Sequence, residues 1–277
     1  MFVFEIIKST ILGIVEGVTE WLPISSTGHM ILVNEFITMN VSDEFMEMFL
    51  FVIQLGAILA VPICFWRRIN PFYRTKTEAE RKNTCKMWLK IIVGVIPAAL
   101  VGVLFDDFFE EHFYNWFVVA VALILYGITF IIVESKKKNN QYKIISVDDL
   151  TYSDAVKIGL FQVLAIIPGT SRSGSTILGG MICGVSREVA AEFSFYMAMP
   201  VMLGSSALKV MKFLLNGVSV TPTEILILLV GTAVAFIVSL FSIKFLMDFV
   251  KRHDFKPFGV YRIILGAVVI MYFLISK

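Results

Sequence analysis

The chain has 277 residues, of which 57% are hydrophobic and 17% are charged, and its mean hydropathy is +0.82. Soluble domains are about 45–50% apolar and about 25% charged, so this composition excludes an ordinary soluble protein. The net charge of +2 lacks the basic excess that nucleic acid attracts, and no nucleic-acid partner is expected. The expected partner is the membrane bilayer.

Charge-free apolar runs predict six transmembrane helices. About 20 apolar residues cross the hydrocarbon core of a bilayer as a helix, at about 1.5 Å per residue. In chain order, the predicted spans are 48–66, 91–105, 113–133, 193–208, 225–243 and 263–276. The fold class is therefore an all-α polytopic membrane protein, and residues 1–277 are expected to form a single integral membrane domain.

The distribution of basic residues predicts which connections face the cytoplasm. Basic residues cluster in 67–90, 136–143 and 251–256, and positively charged loops stay inside. We therefore place 67–90, 135–157 and 248–257 on the cytoplasmic side. A predicted loop at 106–112, which is rich in acidic residues, and another at 216–223 are placed outside.

The two halves of the chain resemble each other at an offset of 146 positions. Residues 11–32 align without a gap on residues 157–178. Equivalent positions include Gly13 and Gly159, Glu16 and Gln162, Ser25 and Ser171, and Gly28 and Gly174. This pattern predicts repeat one at about 1–134 and repeat two at about 153–277, joined by a cytoplasmic linker at 135–152. The spans that follow the two aligned segments are expected to cross in opposite directions, which makes the repeat inverted and is typical of transporters.

The aligned segments are too short to cross a membrane. Residues 21–34, 158–171 and 173–186 are charge-free for only about fourteen residues each, and Pro23 and Pro168 interrupt the first two. Short apolar helices that break at Pro and Gly are typical of re-entrant hairpins, whose irregular backbone must be covered by protein or water. We therefore predict two re-entrant helix hairpins and one shared polar cavity near the membrane midplane.

Two carboxylates begin the first motif. Glu16 and Glu20 are four residues apart and share one face of a helix. A carboxylate inside a membrane is costly, so it is a functional candidate. Two of them repel each other unless a cation, a proton or a basic group lies between them, and their oxygens suit Mg²⁺ or Ca²⁺. The alternative is a solvated face at the membrane surface.

Hydroxyls and an imidazole complete the first motif. Ser25, Ser26 and Thr27 precede Gly28, and His29 follows Ser26 by three residues. A hydroxyl within reach of an imidazole is the general arrangement of an activated nucleophile. We therefore predict Ser26 as nucleophile and His29 as acid or base. The alternatives are that these hydroxyls cap a helix and that His29 is structural.

The second motif is built around Arg172, which lies between two charge-free runs. Burying a guanidinium without an anion costs several kcal/mol, and its planar fork binds phosphate oxygens bidentately. The helix N-terminus that follows also favours an anion. The predicted ligand-binding residues beside it are Ser171, Ser173, Gly174 and Thr176. The alternative is that Arg172 pairs with Glu16 or Glu20 and holds the two hairpins together.

The motifs Glu16-x-x-x-Glu20…Pro-x-Ser-Ser-Thr-Gly-His29 and Pro168-Gly-x-Ser-Arg-Ser-Gly-x-Thr176 resemble those of the undecaprenyl-diphosphate phosphatase (bacitracin-resistance) family. The resemblance includes 53–60 and 65–68 and runs from Leu12 to the last span. It implies a bacterial inner-membrane enzyme with inverted repeats and two re-entrant hairpins. The implied reaction hydrolyses undecaprenyl diphosphate, a polyprenyl diphosphate lipid, to undecaprenyl phosphate and phosphate on the extracytoplasmic side. This recycles the lipid carrier of cell-wall peptidoglycan synthesis and gives bacitracin resistance.

The resemblance also implies site residues. The family's functional residues match Glu16, Glu20, Ser26, His29, Ser171, Arg172 and Thr176, and the further substrate-binding candidates are Ser25, Thr27, Gln54, Ser173 and Gly174. Two other functions remain open, namely a lipid or small-anion transporter or flippase, and a noncatalytic membrane scaffold. Covalent attack by Ser26 and direct attack by water also remain open. Gly179 and Gly180 suit close helix packing within a chain or between chains, so a homodimer is one expectation.

Overall fold

The computed structural model describes residues 2–136, 142–216 and 220–276, apart from the side chains of residues 106, 107 and 110. These ranges form α-helices joined by short connections and two single turns of 3₁₀ helix. In chain order the α-helices are α1 (Phe2–Thr19), α2 (Ser26–Phe36), α3 (Asp43–Ile58), α4 (Ala60–Ile69), α5 (Glu78–Phe113), α6 (Trp116–Lys136), α7 (Tyr152–Val163), α8 (Arg172–Ile182), α9 (Arg187–Leu215), α10 (Pro222–Val250) and α11 (Lys256–Ile275).

Six segments within these ranges are long and apolar enough to cross a membrane. They are Asp43–Ile69, Glu78–Phe105, Trp116–Lys136, Arg187–Leu215, Pro222–Val250 and Lys256–Ile275. Each contains or largely overlaps one predicted span, which confirms the prediction of an all-α polytopic membrane protein with six transmembrane helices. The first segment combines α3 and α4, which are separated at Leu59.

The loop predicted at 106–112 is wrong, because α5 is 36 residues long and covers all of it. The same helix also covers 78–90 of the segment placed on the cytoplasmic side. Thr77 and Glu80 form a reciprocal capping box that starts this helix well before its apolar part. At the other end the helix continues through 106–112 to Phe113, because no proline or glycine interrupts it there. Hydropathy does not detect a helix that extends beyond the hydrocarbon core. Of the basic run after α6, Lys137 and Lys138 lie outside the described residues, as do residues 217–219 of the predicted 216–223 loop.

Helix α1 packs against α10, and α7 packs against α5. Glycines allow backbone contact at both crossings. A Cβ atom at Gly13 would lie 2.6 Å from the carbonyl oxygen of Gly231, and one at Gly159 would overlap the carbonyl oxygen of Gly94. A side chain at either glycine would therefore push the two helices apart. Helix α6 packs against α11 and α3 against α9, which completes the frame around the shorter helices.

Glycines 179 and 180 pack within the chain. A Cβ atom at Gly179 would lie 2.5 Å from the ring of Phe161, and one at Gly180 would lie 3.0 Å from Ala190. This confirms the first of the two alternatives for these glycines, namely helix packing within a chain.

Two breaks in the helical chain lie between α1 and α2 and between α7 and α8. At the end of each break a serine has a positive φ, 73° for Ser25 and 70° for Ser171. Each serine caps the following helix, since its Oγ accepts a hydrogen bond from the amide of Gly28 or Gly174. The expectation of helix capping is therefore confirmed for Ser25. Because L-residues rarely adopt this conformation, each break stores about 1–3 kcal/mol of strain.

Candidate active site

The two breaks meet in a salt bridge between Arg172 and Glu20. The Nη2 and Nε atoms of Arg172 lie 2.9 and 3.1 Å from Oε1 of Glu20. Both side chains are nearly buried, with 11% and 10% of their surfaces exposed. The predicted convergence of a guanidinium from the second motif with an acidic group of the first is confirmed. The salt bridge matches the alternative prediction for Arg172, in which it pairs with a carboxylate of the first motif and holds the two segments together.

Further contacts fix the orientation of the Arg172 guanidinium. Its Nη1 atom donates to the carbonyl oxygen of Ser194 at 2.9 Å, and its Cζ atom lies 5.7 Å from the centre of the Trp21 ring. The Oγ atom of Ser194 is 2.6 Å from Oγ1 of Thr176. Sequence reasoning missed Ser194, because a single serine within an apolar span carries little signal.

Ser26 donates its hydroxyl hydrogen to Glu20 and not to His29. The Oγ atom of Ser26 lies 3.2 Å from Oε2 of Glu20. His29 instead places Nδ1 2.7 Å from the carbonyl oxygen of Ser25 and Nε2 2.7 Å from Oη of Tyr261 on α11. The predicted Ser26–His29 pair is therefore wrong in this structure. Ser26 is the first residue of α2 and faces back across the break, whereas the imidazole reaches across to another helix.

The predicted hydroxyls of the second motif mostly bind other protein groups. The buried Ser173 hydroxyl lies 3.1 and 3.2 Å from the carbonyl oxygens of Glu20 and Leu22. Ser171 caps α8, and Thr176 is buried against Ser194. The contacts of Ser173 join the two breaks to each other. Gly174 is also packed tightly, since a Cβ atom there would lie 3.2 Å from Arg262 Nη1.

Among the predicted site residues, Thr27 and Gln54 are not joined to this network. Thr27 is half-buried at the start of α2, beside Ser26. Gln54 is half-buried on α3, and within the described ranges it forms no hydrogen bond with either break. Their predicted roles in binding substrate stay predictions.

Glu16 is the carboxylate with an uncommitted oxygen. Its side chain is buried, its Oε1 atom has no hydrogen-bond partner among the described residues, and the charges of Glu20 and Arg172 act on it. Gln162, at the equivalent position of the second half, is also buried, and within the same ranges neither of its side-chain polar atoms has a partner. The part of the chain that the structure describes holds no cluster of three His, Cys, Asp or Glu residues suited to a metal ion.

Arg262 on α11 ties both breaks to the same helix. It is fully buried, and its Nη1 atom donates to the carbonyl oxygen of Pro23 at 3.1 Å. Its Nη2 atom donates to the carbonyl oxygens of Gly169 and Thr170 at 2.8 and 3.1 Å. Sequence reasoning missed Arg262, because a basic residue at the edge of an apolar run usually marks the membrane surface. The one sequence feature that could have identified Arg262 is that this charged residue lies within the last apolar helix.

Comparison with known proteins agrees with the motifs. Residues 9–268 match the family described as bacitracin resistance protein BacA. This chain belongs to the BacA family. A BacA relative from Acetivibrio thermocellus, named undecaprenyl-diphosphatase, is 57% identical over 98% of each chain. Relatives of the same name from Desulfitobacterium hafniense and Enterococcus faecalis are 56% and 54% identical, over 99% and 97% of this chain and 98% of each relative.

The BacA match covers every group of the site, from Glu16 in α1 to Arg262 in α11. The resemblance inferred from the two motifs is therefore confirmed at the level of the family. In this BacA chain, hydrogen bonds join Glu20 and Ser26 of the first motif to Arg172 and Ser173 of the second, and Ser194 on α9 extends this network.

Proposed function

We propose that this chain is an undecaprenyl-diphosphate phosphatase, which hydrolyses its lipid substrate to undecaprenyl phosphate and phosphate. The observation that carries the proposal is the convergence of Arg172, Glu20 and Ser26 from two helix breaks. A guanidinium, a carboxylate and a hydroxyl are the groups that phosphoryl transfer needs for charge stabilisation and nucleophilic attack. Relatives at 54–57% identity over nearly the whole chain bear the corresponding enzyme name.

In this proposal the two breaks are re-entrant hairpins of an inverted repeat. Equivalent serines, Ser25 and Ser171, have matching φ angles and the same capping role. Equivalent helices exchange partners, since α1 packs against α10 of the second half and α7 packs against α5 of the first. His29 contacts a tyrosine on α11, and Ser175, its equivalent, contacts a tyrosine on α6. A two-fold axis in the membrane plane accounts for all of these pairs.

The charge distribution and the family support the membrane placement that we propose. The single domain 1–277 lies in the bacterial inner membrane, with repeats at 1–134 and 153–277 and a cytoplasmic linker at 135–152. The site opens to the extracytoplasmic side. A homodimer also belongs to the proposal, and it would use a surface other than Gly179 and Gly180, which pack inside the chain.

Arg172 binds the diphosphate in this mechanism. In the structure Glu20 occupies the Nε and Nη2 donors of Arg172, as a carboxylate substitute for phosphate oxygens. An incoming phosphate competes for these donors and releases Glu20. The exchange keeps the buried guanidinium paired with an anion at every stage, which avoids the cost of an uncompensated charge.

Ser26 is the proposed nucleophile and Glu20 its base. The Ser26 Oγ atom forms a bond to the terminal phosphorus, its proton passes to Glu20 Oε2, and the bond between that phosphorus and the bridging oxygen breaks. Undecaprenyl phosphate leaves, and water then attacks the phosphoserine to release phosphate and restore the hydroxyl. His29, held by Ser25 and Tyr261, is the proposed acid or base of the water step. In the alternative route Ser26 only binds the phosphate and water attacks directly.

A divalent cation, Mg²⁺ or Ca²⁺, is the proposed cofactor. Glu16 offers a buried oxygen that lacks a partner among the described residues, and Glu20 Oε1 becomes available when phosphate takes its place on Arg172. Carboxylate oxygens are the ligands that these hard cations prefer. The ion would add positive charge beside the diphosphate.

Phosphate release from the purified protein in detergent tests the proposal. We expect turnover of undecaprenyl diphosphate, loss of turnover with a chelator, and recovery when Mg²⁺ or Ca²⁺ is added back. A short-chain prenyl diphosphate, compared with the long-chain one, measures the contribution of the lipid tail. A protein that moves the lipid across vesicles without releasing phosphate would be a transporter, and the phosphatase proposal would fail.

A further inference from the structure

A polar cavity of about 490 Å³ lies beside the end of α4 and the start of α5. Its wall includes three cations, Arg67, Arg68 and Lys76, and two carboxylates, Glu80 and Asp148. Neutral lining groups include Asn83, Thr84 and Cys64. We call it the basic cavity. None of these residues belongs to the network around Glu20 and Arg172.

Of the three cations of the basic cavity, Arg68 is the one that forms an ion pair within the described ranges. Arg68 places its Nε atom 2.9 Å from Glu192, whereas Arg67 forms no ion pair within the described ranges. Lys76 donates to two neutral oxygens, the carbonyl of Arg68 and the hydroxyl of Thr84. Glu80 lines the same cavity, but one of its carboxylate oxygens already accepts two hydrogen bonds from Thr77.

Burial and charges of both signs act on the ionisation of Lys76. Burial is the largest cause that lowers the pKa of Lys76, and the charges of Arg68 and Arg67 add to this effect. Glu80 and Asp148 act in the opposite direction. A bound anion would relieve the repulsion among the three cations.

One helix separates the basic cavity from the candidate active site. On α9, Glu192 bonds to Arg68 of the cavity, and Ser194 bonds to Arg172 of the site. Positions two apart on a helix point in nearly opposite directions. The two guanidiniums therefore lie on opposite sides of α9.

Aromatic rings fill the space between the two sites. Phe65 lines the basic cavity and packs against Phe195 with ring centres 6.2 Å apart. The rings of Phe195 and Trp21 pack with their centres 5.2 Å apart. The guanidinium of Arg172 lies over the Trp21 ring. An apolar layer of this kind keeps ions in one site from passing freely to the other.

We propose that the basic cavity is a second anion site, which binds a phosphate group through Arg67, Arg68 and Lys76. Arginine and lysine donors around a cavity with neutral hydroxyl and amide groups suit the several oxygens of a phosphate. The phosphate is either free or the headgroup of a phosphorylated lipid. The proposal goes beyond the phosphatase activity and does not depend on it.

Protection of Cys64 from N-ethylmaleimide tests the proposal in the full-length protein in detergent. The chain has three cysteines, so Cys85→Ser and Cys183→Ala leave Cys64 as the one thiol. At ten times its dissociation constant, phosphate is expected to slow the labelling of Cys64 about tenfold, compared with sodium chloride at equal ionic strength. Farnesyl phosphate, with farnesol as its control, distinguishes a lipid headgroup from free phosphate, and protection by either one supports the proposal.

Two variants separate the basic cavity from the active site. Arg67→Gln combined with Lys76→Gln is expected to abolish protection, whereas Arg172→Ala is expected to retain it. Protection that survives the double substitution, or that disappears with Arg172→Ala, would overturn the proposal, as would labelling unaffected by both anions. If Cys64 reacts too slowly to follow, the Tm of the Arg172→Ala protein is measured with and without phosphate, and a phosphate-dependent rise supports the proposal. That rise must vanish when Arg67→Gln and Lys76→Gln are added.

Discussion

The two helix breaks share one backbone design but carry different chemistry. Ser26 and Arg172 are equivalent positions 146 residues apart, and each is the first residue of the helix after its break. Both contact Glu20, the serine through Oε2 and the arginine through Oε1. At the position equivalent to Glu20, the second half has the apolar residue Ile166.

Under the proposed inverted repeat, this difference divides the chemistry between two copies of one scaffold. In our proposal the first break supplies the reacting groups, and the second supplies the cation that binds the anion. Glu20 is the one carboxylate that serves both. This division predicts that substitutions at equivalent positions give similar changes in stability but different changes in activity.

The largest effect is expected from Arg172→Ala. It removes the phosphate ligand and leaves Glu20 buried beside Glu16, so kcat/KM should fall about 10³-fold or more. Arg172→Lys is the matched control, since it keeps the charge but loses the planar fork, and it should restore only part of the activity. Phosphate release measures both. Activity of Arg172→Ala within tenfold of the parent protein would show that Arg172 does not bind the reacting phosphate.

A second large effect is expected from Ser26→Ala. Loss of the nucleophile should lower kcat about 10³-fold if the reaction is covalent. Thr27→Ala is the control, because Thr27 neighbours Ser26 without bonding to Glu20, and its loss should be tenfold or less. Mass spectrometry of acid-quenched protein should detect phosphoserine at Ser26. Near-normal turnover by Ser26→Ala would rule out the covalent route and leave direct attack by water.

Arg262→Met tests whether one residue organises both breaks. It leaves three buried carbonyl oxygens, those of Pro23, Gly169 and Thr170, without their donor. Thermal unfolding should show a loss of about 3–5 kcal/mol. Arg262→Lys keeps the charge and one or two of the bonds, and it should lose less. A Met variant as stable as the parent protein would show that the breaks are held by other contacts.

The smallest effects are expected from Ser25→Gly and Ser171→Gly. Glycine accepts a positive φ without strain but lacks the capping hydroxyl, so these two changes nearly cancel and Tm should move little. Ser25→Val and Ser171→Val should each cost about 1–3 kcal/mol, because a branched side chain resists this backbone conformation. Thermal unfolding of all four variants tests the equivalence of the breaks. A large cost at one serine and none at the other would contradict it.

Much of this architecture could be predicted from the sequence, since hydropathy and Pro/Gly interruptions are local properties. The six spans and both breaks were found in this way. The loop predicted at 106–112 failed, because polar residues continue α5 beyond its apolar part. The Ser26–His29 pair failed because spacing along a helix does not determine where side chains at its first turn point.

One physical cause explains why three residues of the site were not predicted from the sequence. Ser194, Tyr261 and Arg262 lie on α9 and α11, outside both motifs. Ser194 is 22 residues from Arg172, Tyr261 is 232 residues from His29, and Arg262 binds backbone carbonyl oxygens at least 92 residues away. Only tertiary packing brings them to the breaks, and no spacing rule within a motif reports it. The motifs contained the groups that meet at Glu20, but not the helices that hold those groups in place.

A double-mutant cycle on phosphate release tests the central claim most directly. Glu20→Gln and Arg172→Lys are measured singly and together, with the full-length protein and undecaprenyl diphosphate. Since our account has both groups acting on one anion, their effects should be strongly non-additive, and the double variant should be about as active as the worse single variant. Effects on kcat/KM that simply multiply would mean that the two groups act independently, and they would contradict a shared site.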